Sequence, residues 1–156
     1  MKTERAIWST ENFEEMGWHD NKVYGVAFGI EENELSFDID YILKWIDPTE
    51  NENNFKFLLV PCTLVFMNVY NLRVDCSLLN ILIDEIYMEN PTLPKNSLIF
   101  KGHNEYDWII DTTTGIISFK SIGYKQYARM QPKLSDNQLI DFEERGNISF
   151  SKATYD

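Results

Sequence analysis

The stretch that most constrains this chain is Leu35-Ser-Phe-Asp-Ile-Asp-Tyr-Ile-Leu-Lys-Trp45. Leu35, Phe37, Ile39, Tyr41, Leu43 and Trp45 alternate with Ser36, Asp38, Asp40, Ile42 and Lys44, which is near-strict period-2 patterning. Side chains of a β-strand point alternately to its two faces, so this segment reads as a strand with one apolar and one largely polar face. Just upstream, Tyr24, Val26, Phe28 and Ile30 alternate with Val23, Gly25, Ala27 and Gly29, and Glu31-Glu32-Asn33-Glu34 supplies a polar turn. Together these segments predict an antiparallel hairpin, and its small-residue face leaves room for another layer to approach closely.

The same patterning recurs downstream. Strands are expected over Phe55–Val60, with Pro61 breaking or bulging the chain before Thr63–Met67, and around Thr112–Gly115, which reads as a hairpin turn. Residues 81–88 fit a strand better than a helix because Ile and Tyr dominate and no helix cap precedes them. Asn90–Asn96 is a loop by composition. Ser135-Asp-Asn-Gln138 has the spacing of a capping box and predicts a short helix, with a last strand over 148–150. The expectation is a mainly β, single-domain antiparallel β-sandwich or open barrel of about seven or more strands with one short C-terminal helix. Within residues 1–156, the lead-in occupies 1–17, the β core 18–130, and the helix and C-terminal strand 131–156.

Charge narrows the classes of partner. The chain carries a net charge of −11, and residues 1–54 hold 13 acidic against 4 basic side chains. Phosphate binding needs clustered Lys and Arg, so neither nucleic acid nor an anionic membrane is expected as a partner. An acidic half can instead steer a basic protein partner, although an acidic surface also serves solubility alone. The polar N-terminus lacks the apolar core of a signal peptide, and no apolar run is long enough to span a bilayer. A cytoplasmic location follows as the expectation, with Cys62 and Cys76 as reduced, buried small hydrophobes.

Several residues could carry chemistry. Asp38 and Asp40, two apart on a strand, place both carboxylates on one face, where a hard cation could bind. His19 and Asp20 precede the hairpin, but its register keeps them away from Asp38 and Asp40. A metal reading would therefore need His103 or Glu105. The plainer reading gives His19 and Asp20 to a hydrogen-bonded turn and leaves the aspartates as an outward-facing acidic pair. Gly123-Tyr124-Lys-Gln-Tyr127-Ala-Arg129 mixes aromatic and cationic side chains after a strand and is the most site-like segment. None of the common phosphate-loop, nucleophile-elbow, dinucleotide or zinc motifs is present, so no catalytic residue, metal ligand or cofactor is assigned.

Trp18-His19-Asp20, the 35–45 segment, Pro61-Cys-Thr-Leu-Val-Phe-Met-Asn-Val69 and 123–129 resemble a family of small uncharacterised bacterial proteins. Its members share W-H-D, D-I-D-Y, P-x-T-L-V-F-x-N-V and G-[FY]-x-Q-Y-x-R. The likeness runs from about Trp18 to Arg129 and implies a shared fold, without an activity. The His-Asp opening before an acidic hairpin also resembles immunity proteins of polymorphic-toxin systems, which implies a protein partner. The leading expectation is a non-enzymatic, immunity-like binding protein, with Trp18, His19, Asp20, Asp38, Asp40, Tyr124, Tyr127 and Arg129 as binding residues. The alternatives are a small-molecule or metal-dependent enzyme around Tyr124, Tyr127 and Arg129, and a homo-oligomeric structural protein.

Overall fold

The computed structural model describes residues 5–95 and 98–155. The first four residues of the expected lead-in, Asn96 of the expected loop and residue 156 lie outside the described residues. Among the described residues, ten antiparallel strands are present: β1 (Ile7–Ser9), β2 (Lys22–Phe28), β3 (Leu35–Ile46), β4 (Lys56–Met67), β5 (Tyr70–Cys76), β6 (Ile81–Thr92), β7 (Glu105–Thr112), β8 (Gly115–Ser121), β9 (Gly123–Ala128) and β10 (Lys133–Ser135). They form one continuous sheet in the order β1-β9-β4-β3-β2-β6-β7-β8-β5, with β10 added to β4, and the sheet does not close into a barrel.

The alternation in β3 separates its two faces as expected. Leu35, Phe37, Ile39 and Tyr41 enter the main core together with Val60, Cys62, Leu64 and Phe66 of β4. The sheet folds over this layer, so Phe66 meets Trp108 of β7 at 5.0 Å and Phe119 of β8 at 4.7 Å between ring centroids. Edge-to-face aromatic pairs of this kind add to the burial of large apolar area. Tyr124 and Trp18 complete the cluster, their rings 5.6 Å apart.

Three expectations are corrected. Pro61 does not interrupt β4: its carbonyl accepts from Arg129 N on the side where β9 ends and β10 begins, so its missing N–H falls in a gap of the ladder. No helix starts at Ser135. That residue ends β10, and its hydroxyl accepts from Asn137 N and donates to the Leu139 carbonyl, which holds a side-chain turn in place of a helical one. The helical turn among the described residues is instead a 3₁₀ segment, Thr10–Glu15. Residues 148–150 form no ladder; the strand near the C-terminus is β10. The strand expected at 81–88 is present and extends to Thr92, so the Asn90–Asn96 loop begins later than its composition implies.

Two glycines mark close approaches. Gly123 has φ +145°, and a Cβ there would lie 2.1 Å from Thr10 Oγ1, the atom that accepts from Tyr124 N and seats the 3₁₀ segment on β9. A Cβ at Gly25 would meet Phe150 Cζ at 3.0 Å and Ile148 Cγ2 at 3.2 Å. The layer expected over the small residues of β2 is thus the C-terminal segment. A register shift between Val23 and Gly25 lets Val23 enter the core while Gly25 meets that segment.

Candidate functional site

The polar face of β3 carries a densely hydrogen-bonded, buried charged constellation. Residues 137–155 cross it as a strap, and Arg145 inserts beneath with no exposed surface. Its guanidinium forks onto Asp38, with Nη1 donating to Oδ2 at 2.9 Å and Nη2 to Oδ1 at 2.7 Å. Nε donates to Asp40 Oδ1 at 3.0 Å. The planar fork of arginine matches two carboxylates on one strand face in a way a lysine ammonium cannot. The guanidinium also lies over the Tyr24 ring, 3.7 Å from its centroid, and the Tyr24 hydroxyl donates to Asp40 Oδ2 at 3.0 Å.

The remaining acceptor positions are filled by the strap and by β4's neighbours. Ser149 N donates to Asp38 at 2.9 Å and Ile140 N to Asp40 at 3.2 Å. Arg129 gives Nη2 to Asp38 at 2.6 Å and Nη1 to Thr63 Oγ1 at 2.8 Å, while the Thr63 hydroxyl donates to the Ser151 carbonyl. Arg145 Nη1 also reaches the Asn147 carbonyl. Two carboxylates therefore face two guanidiniums in a closed, charge-balanced cluster. Burial alone would pull the Arg145 pKa down, but its bonds to Asp38 and the adjacent Asp40 charge hold it above its ordinary value.

This overturns the outward-facing reading of Asp38 and Asp40: both are fully buried, because the strap covers the face they project from. Their hydrogen-bonding capacity is spent within the chain. These bonds offset the burial of both carboxylates, since buried charges persist only where paired and bonded.

His19 and Asp20 form the expected turn. Asn21 N donates to the Trp18 carbonyl, and Asp20 adopts φ +64°. His19 stacks on Trp45 with ring centroids 6.3 Å apart, and its Nε2 lies 3.5 Å from Asp20 Oδ1. Asp20 Oδ2 accepts from Gln138 Nε2 at 2.8 Å, so Asp20 and Asp40 grip the strap at nearby positions, 138 and 140. Trp18 belongs to the core, its indole N–H donating to Gln126 Oε1 at 2.8 Å. Tyr124 is buried on the core side of β9, while Tyr127 faces the other way and is half-buried. Burial drives the Tyr124 phenol well above its ordinary pKa. The eight proposed binding residues are thus divided among core, turn and strap, and they do not line one cavity. His103 is exposed, whereas Glu105 is buried and accepts from the Tyr70 hydroxyl and Lys95 N. Among the described residues, no group of three or more His, Cys, Asp or Glu side chains converges as metal ligands.

Sequence reasoning missed Arg145, Tyr24 and Thr63. A faint signal existed for the first. Two carboxylates on the face of a central strand require a cation if covered, and the chain has only four arginines.

An open concavity lies elsewhere. A groove of about 600 Å³ runs between the Thr10–Glu15 segment with its following loop and strand β6. Phe13 and Trp18 line it along with Glu14, Asp84, Glu85 and Glu89, and neither Lys nor Arg is present in its walls. Among the described residues, no helix is long and apolar enough to cross a membrane. No family model matches the chain, and neither a curated protein nor a solved structure is similar to it at a significant level.

Proposed function

We propose that the protein is a non-enzymatic binding protein that holds a basic protein partner on an acidic surface, in an immunity-like role. One observation carries this reading. The side chains with the strongest catalytic potential, Asp38, Asp40, Arg129 and Arg145, are buried against one another, whereas an open groove is walled by four carboxylates and His19, with no lysine or arginine. A concave negative surface focuses field and raises the on-rate of a cationic partner.

Affinity capture with the full chain from extract of the source cells tests the proposal. A stoichiometric basic protein should be retained at low salt and released at about 0.5 M salt, where charges more than a few ångströms apart are screened. Absence of any stoichiometric protein at low salt overturns it.

A further inference from the structure

Strand β6 is paired on one side along most of its length by β7, from Ile83 to Thr92. On its other side β2 reaches it only at Lys22–Leu82 and Val23–Ile81. The turn after Trp18 adds two backbone bonds at Ile83. His19 Nδ1 lies 3.2 Å from the Asp84 carbonyl; from Glu85 onward no described strand pairs this side, and the groove runs along that open edge. A second hollow, of about 480 Å³, shares Met88 with it.

The two faces of this edge differ. Ile86 is buried and Met88 packs against the core, whereas Glu85, Tyr87 and Glu89 are exposed on the opposite face. Unpaired strand edges recruit other strands, and natural proteins guard them with charge. Here the guard is acidic, which sets two copies of this chain against each other but admits a cationic strand.

We propose that an extended segment of a partner protein, alternating Lys or Arg with apolar residues, adds as a strand to β6 between Glu85 and Glu89. Strand addition would satisfy the open backbone groups, with side chains falling alternately on the two faces. The cations then lie beside Glu85 and Glu89, and the apolar residues lie over Phe13 and Trp18. The inference rests on the acidic-surface reading above and gives it a site, a backbone geometry and a ligand pattern.

The test uses the full chain and a blocked (Lys-Val)4 peptide, followed by amide NMR and calorimetry at low salt. The amides of residues 85–89 should shift and exchange more slowly on binding. Glu85→Lys with Glu89→Lys should weaken the peptide about tenfold or more through like-charge repulsion. Asp47→Lys with Glu50→Lys, the same charge change on an exposed loop, should leave affinity within about twofold, as expected for a distant screened charge. A peptide of identical charge, N-methylated at alternate residues, should lose about as much as the first variant, because strand addition depends on main-chain bonds.

Absence of binding, perturbation away from β6, equal weakening by both charge reversals, or unchanged binding of the methylated peptide overturns the inference. Self-association through β6 in sedimentation does so too. Partner capture that is salt-sensitive yet indifferent to Glu85→Lys/Glu89→Lys overturns the groove and leaves the broader reading intact. Peptide addition at β6 without any captured protein does the reverse.

Discussion

Beneath the strap, Asp38 and Asp40 have no exposed surface and receive seven hydrogen bonds from Arg129, Arg145, Tyr24, Ser149 and Ile140. Beside β6, Glu85 and Glu89 are exposed, along a wall that contains no lysine or arginine. The chemical group is the same and its role is opposite. A carboxylate that has lost its water needs compensation inside the chain, so its removal or exposure costs stability. A carboxylate in water costs little and remains available to another molecule. Acidic residues alone therefore do not locate a site; the location of their counter-charges does.

The sharpest way to break this contrast is Arg145→Met. It leaves two buried carboxylates short of their main cation and should cost about 3–5 kcal/mol, read by urea denaturation. A loss below about 1 kcal/mol, the level of a surface pair, would show that the cluster is solvated. Alkaline titration gives the next largest effect. Burial pushes the Tyr41 phenol up to about 12, and burial followed by the charge of Asp40 raises Tyr24 beneath Arg145 still further. Because the folded values exceed the ordinary phenol value, stability is fully present below about pH 10 and is lost as pH rises through the folded values. These phenols should ionise only as the chain unfolds. Tyr87 is also raised, chiefly through its bond to Glu85, but it is exposed and should titrate in the folded protein. Tyrosinate absorbance recorded alongside circular dichroism separates the two; coincident titration of all phenols in a folded chain contradicts the burial of Tyr41.

A smaller effect should come from Gly25→Val, which forces a side chain into the space of Ile148 and Phe150. Overpacking of this kind costs about 1–3 kcal/mol, and hydrogen exchange should show it as lost protection at Ser149 N, which bonds Asp38. Unchanged protection there would mean that the strap is not seated on β2. The smallest effect belongs to the edge. Glu85→Lys with Glu89→Lys should change stability by no more than about 0.5 kcal/mol, as surface substitutions do, and a thermal melt is the check.

Legibility in the sequence followed the range of the interactions. The period-2 pattern of residues 35–45 identified the core face of β3, because alternation is local and the core rewards it directly. The Gly and Ala positions of β2 correctly announced a close-packed layer, though the register shift at Val23–Gly25 decided which side would meet it. The turn at Trp18–Asn21 was likewise visible from nearby residues. The Ser135–Gln138 spacing misled, because a capping box stabilises a helix only where an apolar stripe also rewards one. Here β4 claims Lys133–Ser135. The pairing of Asp38 with Arg145 left no local trace, for no periodicity links residues so distant along the chain.

That distance has a consequence for how the molecule assembles. Asp38 and Arg145 are separated by 107 positions, so the outer face of the central hairpin cannot be sealed until residues 137–155 reach it. Closing so long a loop is entropically costly, and contacts of this kind slow folding. Until then both aspartates keep their water, and the sheet tolerates an open polar face. Once the strap is seated, the arginine turns that surface into interior. It gives the chain a built-in test of completeness, since a fold that lacks the segment around residue 145 retains two carboxylates that prefer solvent.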